Sequence, residues 1–104
     1  MEFLINGDKW KIKVISNEEI NKKEKNDDES IFIHGTTVYS ENIIYLNEKS
    51  PNKKKSLVHE LVHCYLYEYG FRAYDKQFSA EDLCEIVAGS FETIKRIVVD
   101  YFGS

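Results

Sequence analysis

The sequence predicts an α+β fold, in which a small, mostly antiparallel sheet of three or four strands packs on one central helix and a long C-terminal helix. Two observations support this prediction. The first half of the chain alternates apolar and polar residues between turn-forming positions, whereas the second half repeats its apolar residues at helical spacing. The chain has 104 residues, the length of one ordinary domain, so we expect residues 1–104 to form a single domain.

The sequence predicts a β-hairpin at the N-terminus. The stretch "EFLINGDKWKIKVI" alternates on both sides of Asn6-Gly7, a dipeptide that favours a tight turn between two strands. In the second arm, Trp10, Ile12 and Val14 fall on one face and lysines on the other. We therefore expect one buried and one solvated face.

Two further strands are predicted, at 31–39 and 42–47, from their content of β-branched and aromatic residues. Gly35 inside the first of them indicates a bulge or a close backbone approach. The highly charged segment 17–30 precedes them, and we expect it to be a short helix that frays into a loop outside the core.

Two helices are predicted in the second half. Ser50 is a suitable N-cap with proline following it, and the helix should end near Tyr69, before Gly70. "SAED" at 79–82 has the form of a capping box, so a last helix should run from about 80 to 101. Its apolar face comprises Leu83, Val87, Phe91, Ile94 and Val98.

Composition narrows the classes of partner. The formal net charge is −4 without a basic stripe, which argues against nucleic-acid binding. No apolar run approaches the roughly 18 residues that span a membrane, and the N-terminus lacks the pattern of a secretory signal. We therefore expect a cytoplasmic protein.

Cys64 and Cys84 lack metal-site spacing and are expected to be small buried residues. The run Lys53–Lys55 is expected to be solvated surface.

The stretch "SLVHELVH" contains the pattern H-E-x-x-H at His59, Glu60 and His63. Helical residues advance by about 100° each, so the two histidines lie one turn apart and their imidazoles can bind one ion. Zinc accepts neutral imidazole nitrogens, and it lowers the pKa of a bound water toward neutrality. Glu60 on the adjoining flank can then accept the proton of that water, as a general base. The pattern predicts a zinc-dependent hydrolase.

A catalytic zinc site needs a third protein ligand. The motif is not extended to a third histidine, and His34, the remaining histidine, lies upstream in the predicted sheet and is a weaker candidate. Glu81 and Glu85 begin the last helix on one face, and an antiparallel helix pair would bring them beside His63. We favour Glu81 as the ligand, with Glu85 orienting an imidazole, although the reverse assignment remains open. Tyr67 and Tyr74 are candidates to stabilise a transition-state oxyanion.

"SLVHELVH" followed by "EDLCEIVA" resembles the gluzincin pattern, and more narrowly the small ImmA/IrrE-like metallopeptidases of phages and mobile elements. The resemblance implies three zinc ligands, His59, His63 and Glu81. It also implies Glu60 as the general base and Glu85 as the acid that orients a ligand. It further implies that the strand 42–47 borders the cleft and pairs with an extended substrate.

On this resemblance the protein is expected to be a zinc-dependent cytoplasmic endopeptidase, in which Glu60 activates a zinc-bound water to hydrolyse peptide bonds of a specific protein target. The alternative is a non-catalytic module that keeps the same fold and captures a partner protein. The chain departs from the family pattern at Cys84 and Glu85, where alanine and asparagine or aspartate are usual. The oligomeric state cannot be inferred from the sequence.

Overall fold

A computed structural model describes residues 1–28, 30–70 and 78–103, and it has the expected α+β architecture. In chain order the elements are β1 (Glu2–Ile5), β2 (Asp8–Ile15), α1 (Asn17–Lys23), β3 (Gly35–Val38), β4 (Ile43–Asn47), α2 (Lys53–Glu68) and α3 (Ala80–Phe102). Within these described residues, no helix combines the length and the apolar character needed to cross a membrane.

The four strands form one sheet in the order β1-β2-β4-β3. The outer pairs are antiparallel, but β2 and β4 are parallel, with Ile12 opposite Ile44. The sheet is therefore mixed rather than mostly antiparallel. The difference arises because β3 and β4 form a hairpin that docks on β2 through β4, which leaves β3 and β1 at the two edges.

The N-terminal hairpin is confirmed. Asn6 and Gly7 have φ angles of 51° and 80°, the left-handed conformation that the turn requires. Trp10 and Ile12 are buried at 0% and 3% exposure, whereas Val14 is 43% exposed and does not join the core.

The charged segment after β2 contributes to the interior, contrary to the prediction. Ser16 caps α1 by accepting a hydrogen bond from the Glu19 amide, and Ile20 is fully buried. Thr36 donates a hydrogen bond to Glu24, just after α1, whereas the next residue, Thr37, points to α2. Because successive strand residues face opposite sides, α1 and α2 cover opposite faces of the sheet.

Helix α2 begins at Lys53 with Asn52 as its N-cap, so the prediction that Ser50 caps the helix was wrong. The Asn52 side chain accepts a hydrogen bond from the Lys55 amide, while Ser50 is buried and bonds to other side chains. The helix ends at Glu68, and Gly70 follows with a φ of 80°, as expected.

Helix α3 begins with the predicted capping box, formed by Ser79 and Asp82. Its buried face differs from the predicted one and comprises Ile86, Ser90, Ile94, Ile97 and Val98. Leu83, Val87 and Phe91 are exposed at 52%, 61% and 56%, and Cys84 is also exposed. The rotation follows from a close contact with α2, because a Cβ added at Gly89 would lie 2.5 Å from Tyr65 Oη.

We predict that Ile20→Ala lowers the free energy of unfolding by about 2–5 kcal/mol, because it leaves a cavity between α1 and the sheet. Urea denaturation monitored by circular dichroism measures this loss. The matched control is Lys22→Ala on the same helix, whose exposed ion pair with Glu18 contributes little to stability. Equal stability of the two variants would show that α1 is not anchored by Ile20.

Candidate metal and catalytic site

The two histidines of the H-E-x-x-H pattern lie together on the outer side of α2. The ring centroids of His59 and His63 are 5.0 Å apart, with an interplanar angle of 68°. The His59 side chain is 69% exposed and His63 is half-buried, so both imidazoles are open to a ligand from solvent. This is the one-turn pairing that the sequence predicts.

The orientation of α2 is determined by its apolar side. Leu57, Leu61 and Cys64 are each fully buried and belong to the main core cluster with the sheet. With those residues facing the sheet, the helix turns Glu60 to the sheet edge and the two histidines outward. Burial also raises the pKa of the Cys64 thiol, which suits a packing role and not that of a thiolate ligand.

Glu60 is held against the edge strand β3. Thr37 Oγ1 donates a hydrogen bond to Glu60 Oε1 at 2.9 Å, while Glu60 Oε2 lies 3.9 Å from His59 Nε2. A Cβ added at Gly35 would lie 3.2 Å from Glu60 Cγ and 3.1 Å from the Tyr45 carbonyl oxygen. This is the close backbone approach that Gly35 indicated in the sequence.

Burial raises the pKa of the Glu60 carboxyl above its ordinary value, because the surrounding protein disfavours the charged form. The hydrogen bond from Thr37 and the nearby imidazoles of His59 and His63 oppose this shift. A carboxyl group with a raised pKa beside two imidazoles is well matched to accepting and returning a proton.

The expected third ligand is not brought to the histidines. Glu81 and Glu85 are both exposed on α3, and α3 contacts α2 at Tyr65. Tyr65 follows His63 by two positions, so it lies about 160° around the helix from it, nearly on the opposite face. Among residues 1–28, 30–70 and 78–103, no three His, Cys, Asp or Glu side chains are grouped to hold a metal. The assignment of Glu81 as a ligand stays a prediction.

A cleft of about 470 Å³ adjoins Glu60 and runs toward the N-terminal end of α2. Residues 33–35 form its sheet side, and Lys55, Ser56 and His59 lie on its helix side. We call this the α2 cleft. His34, considered above as a weaker metal ligand, lines the cleft instead, and its Nδ1 lies 3.1 Å from Ser50 Oγ.

The strand at 42–47 is not available to a substrate. In the structure β4 pairs with β2 on one side and β3 on the other, and four of its five residues are buried. Its place in the sheet interior corrects the expectation that it pairs with an extended substrate. Strand β3, which contacts Glu60 through Thr37, lies at the edge of the sheet that the described residues form.

Of the two tyrosines considered for oxyanion stabilisation, Tyr67 stacks on Tyr39 with ring centroids 4.6 Å apart. Tyr67 lies one turn after His63 on α2, and its ring also meets Trp10 edge-on at 6.3 Å. Tyr74 lies outside the described residues. The contacts of Tyr67 are those of a packing residue.

Sequence reasoning missed Thr37 and Ser50 as members of the site. Gly35 and Thr37 alternate along β3, so a shared face could have been recognised, but not which helix that face meets. Ser50 was interpreted as a helix cap, and its hydroxyl instead bonds to His34 and Ser56.

Comparison of the chain with protein-family models, with curated proteins and with solved structures finds no match. The resemblance to metallopeptidases therefore depends on the motif residues themselves and on their geometry.

We predict that Gly35→Ala lowers the free energy of unfolding by about 1–3 kcal/mol, because the new Cβ presses on Glu60 Cγ and on the Tyr45 carbonyl oxygen. Thermal and urea denaturation measure the loss. Ser40→Ala, in the exposed turn before β4, is the control and should leave stability unchanged. A Gly35→Ala protein as stable as wild type would contradict the tight contact between β3 and α2.

Proposed function

We propose that the chain is a zinc-dependent cytoplasmic endopeptidase that hydrolyses peptide bonds of a specific protein target. One observation carries the proposal: His59 and His63 lie one turn apart on the outer side of α2, with the buried Glu60 carboxyl beside them. Two imidazoles and an adjacent general base on one helix are three of the parts that a zinc hydrolase needs, and a further protein ligand is the fourth.

The donor chemistry suits zinc. Neutral imidazole nitrogens are preferred zinc ligands, and His59 and His63 supply half of a tetrahedral set. The resemblance assigns the remaining protein donor to Glu81, with Glu85 orienting an imidazole. For either carboxylate to approach the two rings, the N-terminal half of α3 has to pack differently against α2. The exposed apolar residues of that half, Leu83 and Val87, are compatible with a second packing arrangement.

Zinc, when bound, supplies a Lewis acid that polarises the scissile carbonyl and acidifies a water. Glu60 would be placed to accept a proton from an attacking water through Oε2, since Thr37 already donates to Oε1. The buried carboxyl then passes the proton to the departing amine, which completes hydrolysis without a covalent intermediate. The low polarity around Glu60, which raises its pKa, favours acceptance of the proton and keeps the carboxyl protonated until the amine departs.

The edge strand β3 can form backbone hydrogen bonds with an extended substrate. The Asn47 amide donates to the His34 carbonyl, so alternate residues His34, Thr36 and Val38 face β4. The backbone groups of Gly35 and Thr37 therefore point outward, and in the described part of the chain no strand pairs with them. A substrate paired there passes directly beside Glu60.

A second candidate is a binding module that uses the same edge and cleft to capture a partner protein without cleavage. It is favoured by one observation: the described residues do not assemble a three-ligand metal cluster. The two candidates differ in what they require of Glu60, because capture needs no general base.

We predict that Glu60→Gln keeps zinc binding but lowers peptide hydrolysis by about 100- to 10,000-fold, because the amide cannot accept a proton from water. Metal content is measured by elemental analysis, and cleavage by mass spectrometry of a proteome-derived peptide library. Glu92→Gln, an exposed substitution on α3, is the control for the loss of one charge. Full activity of Glu60→Gln would refute the mechanism, and full biological activity without any cleavage would favour the binding module.

We predict that Glu81→Gln weakens zinc binding by more than about 100-fold, whereas Glu85→Gln, which changes an orienting group, weakens it by about 10- to 100-fold. Competition with a chromophoric chelator measures both affinities. Glu92→Gln serves again as the matched control and should bind zinc like wild type. Equal zinc affinity in all three variants would exclude both carboxylates as ligands.

A further inference from the structure

We propose that the α2 cleft is a subsite for a carboxylate of the substrate, with Lys55 as its cationic partner. The proposal depends on the peptidase function above, because it names the substrate chemistry that this site prefers. The cleft opens beside Glu60 and has room, at about 470 Å³, for one or two amino-acid residues next to the bond under attack.

The charge of the cleft wall favours an anion. Lys55 lies one turn before His59 on the same side of α2, and both line the cleft. In the described part of the chain, no carboxylate oxygen lies within 4.0 Å of Lys55 Nζ. Among the described residues that line the cleft, Glu60 is the only acidic one, and it is buried at the inner end.

This cationic wall is a local feature. The chain as a whole has a formal charge of −4, so a nonspecific attraction for anions is not expected. The N-terminus of α2, with Asn52 at its cap, opens onto the same cleft and adds the positive end of a helix dipole. A carboxylate near Lys55 would gain from both charges.

Hydrogen bonds along the floor of the cleft determine which ring nitrogen of His34 donates and which can accept a hydrogen bond. Ser56 Oγ donates to the Asn52 carbonyl, so its oxygen accepts from Ser50 Oγ, 3.1 Å away. With its own proton used, Ser50 Oγ must accept from His34 Nδ1. With Nδ1 as the donor, Nε2 of the His34 imidazole is available to a backbone N–H of the residue whose carboxylate pairs with Lys55.

Two kinds of substrate present such a carboxylate: an aspartate or glutamate side chain, and a free C-terminus. The test uses three acetylated tripeptides, with amidated or free C-termini, as probes in amide NMR titrations of the wild-type chain. These are acetyl-Ala-Glu-Ala-amide, its matched glutamine analogue, and acetyl-Ala-Ala-Ala with a free C-terminus.

We expect the glutamate probe, the free-acid probe or both to shift the amide resonances of residues 33–35 and 52–59. The glutamine probe should bind at least about tenfold more weakly. The two carboxylate probes distinguish a side-chain subsite from a C-terminal one. Lys55→Glu should abolish this binding and create binding of acetyl-Ala-Lys-Ala-amide instead. Lys54→Glu is the matched control, because that side chain lies over the Phe102 ring and does not line the cleft.

Binding of both carboxylate probes that is no stronger than binding of the glutamine probe, or no shifts at these amides with any probe, would overturn the proposal. So would carboxylate binding that survives Lys55→Glu. These titrations measure binding and not cleavage, so their outcome is separable from the peptidase proposal. If the cleft prefers carboxylates but the chain cleaves no peptide, only the proposed function is refuted. If the chain cleaves peptides but its cleft shows no preference for carboxylates, only the subsite is refuted.

Discussion

The packing of α2 on the sheet is the constraint on which the rest of the site depends. Leu57, Leu61 and Cys64 are completely buried, and together they determine how the helix is rotated about its axis. That rotation places Glu60 at the sheet edge, where Thr37 can donate to it, and leaves both histidines facing solvent. The same packing interaction therefore buries the proposed base and exposes the proposed ligands.

The edge strand β3 contributes to the site in three ways. Gly35 allows α2 to approach closely, Thr37 orients one oxygen of Glu60, and the outward backbone groups offer a place for an extended chain. The α2 cleft continues from this edge toward the N-terminus of the helix. The proposed general base, the proposed peptide-binding edge and the proposed carboxylate subsite thus share one side of a single helix–strand contact.

Local features of this chain could be predicted from sequence because they depend on neighbouring residues. The Asn6-Gly7 turn, the Ser79 capping box and the one-turn spacing of the histidines each need only a few adjacent positions. The place of β4 depends on long-range pairing and was missed, although its apolar run "IIYL" is typical of a strand covered on both faces. The rotation of α3 was missed for a similar reason, since the contact of Gly89 with Tyr65 joins two helices.

The central claim is that His59 and His63 bind one divalent ion beside Glu60. A crystal structure of the zinc-loaded chain, with anomalous data collected at the zinc absorption edge, tests it most directly. The account predicts one anomalous peak at about 2.0–2.1 Å from a ring nitrogen of each histidine. A zinc-replete crystal with no peak at these rings, or with zinc held by other side chains, would contradict it.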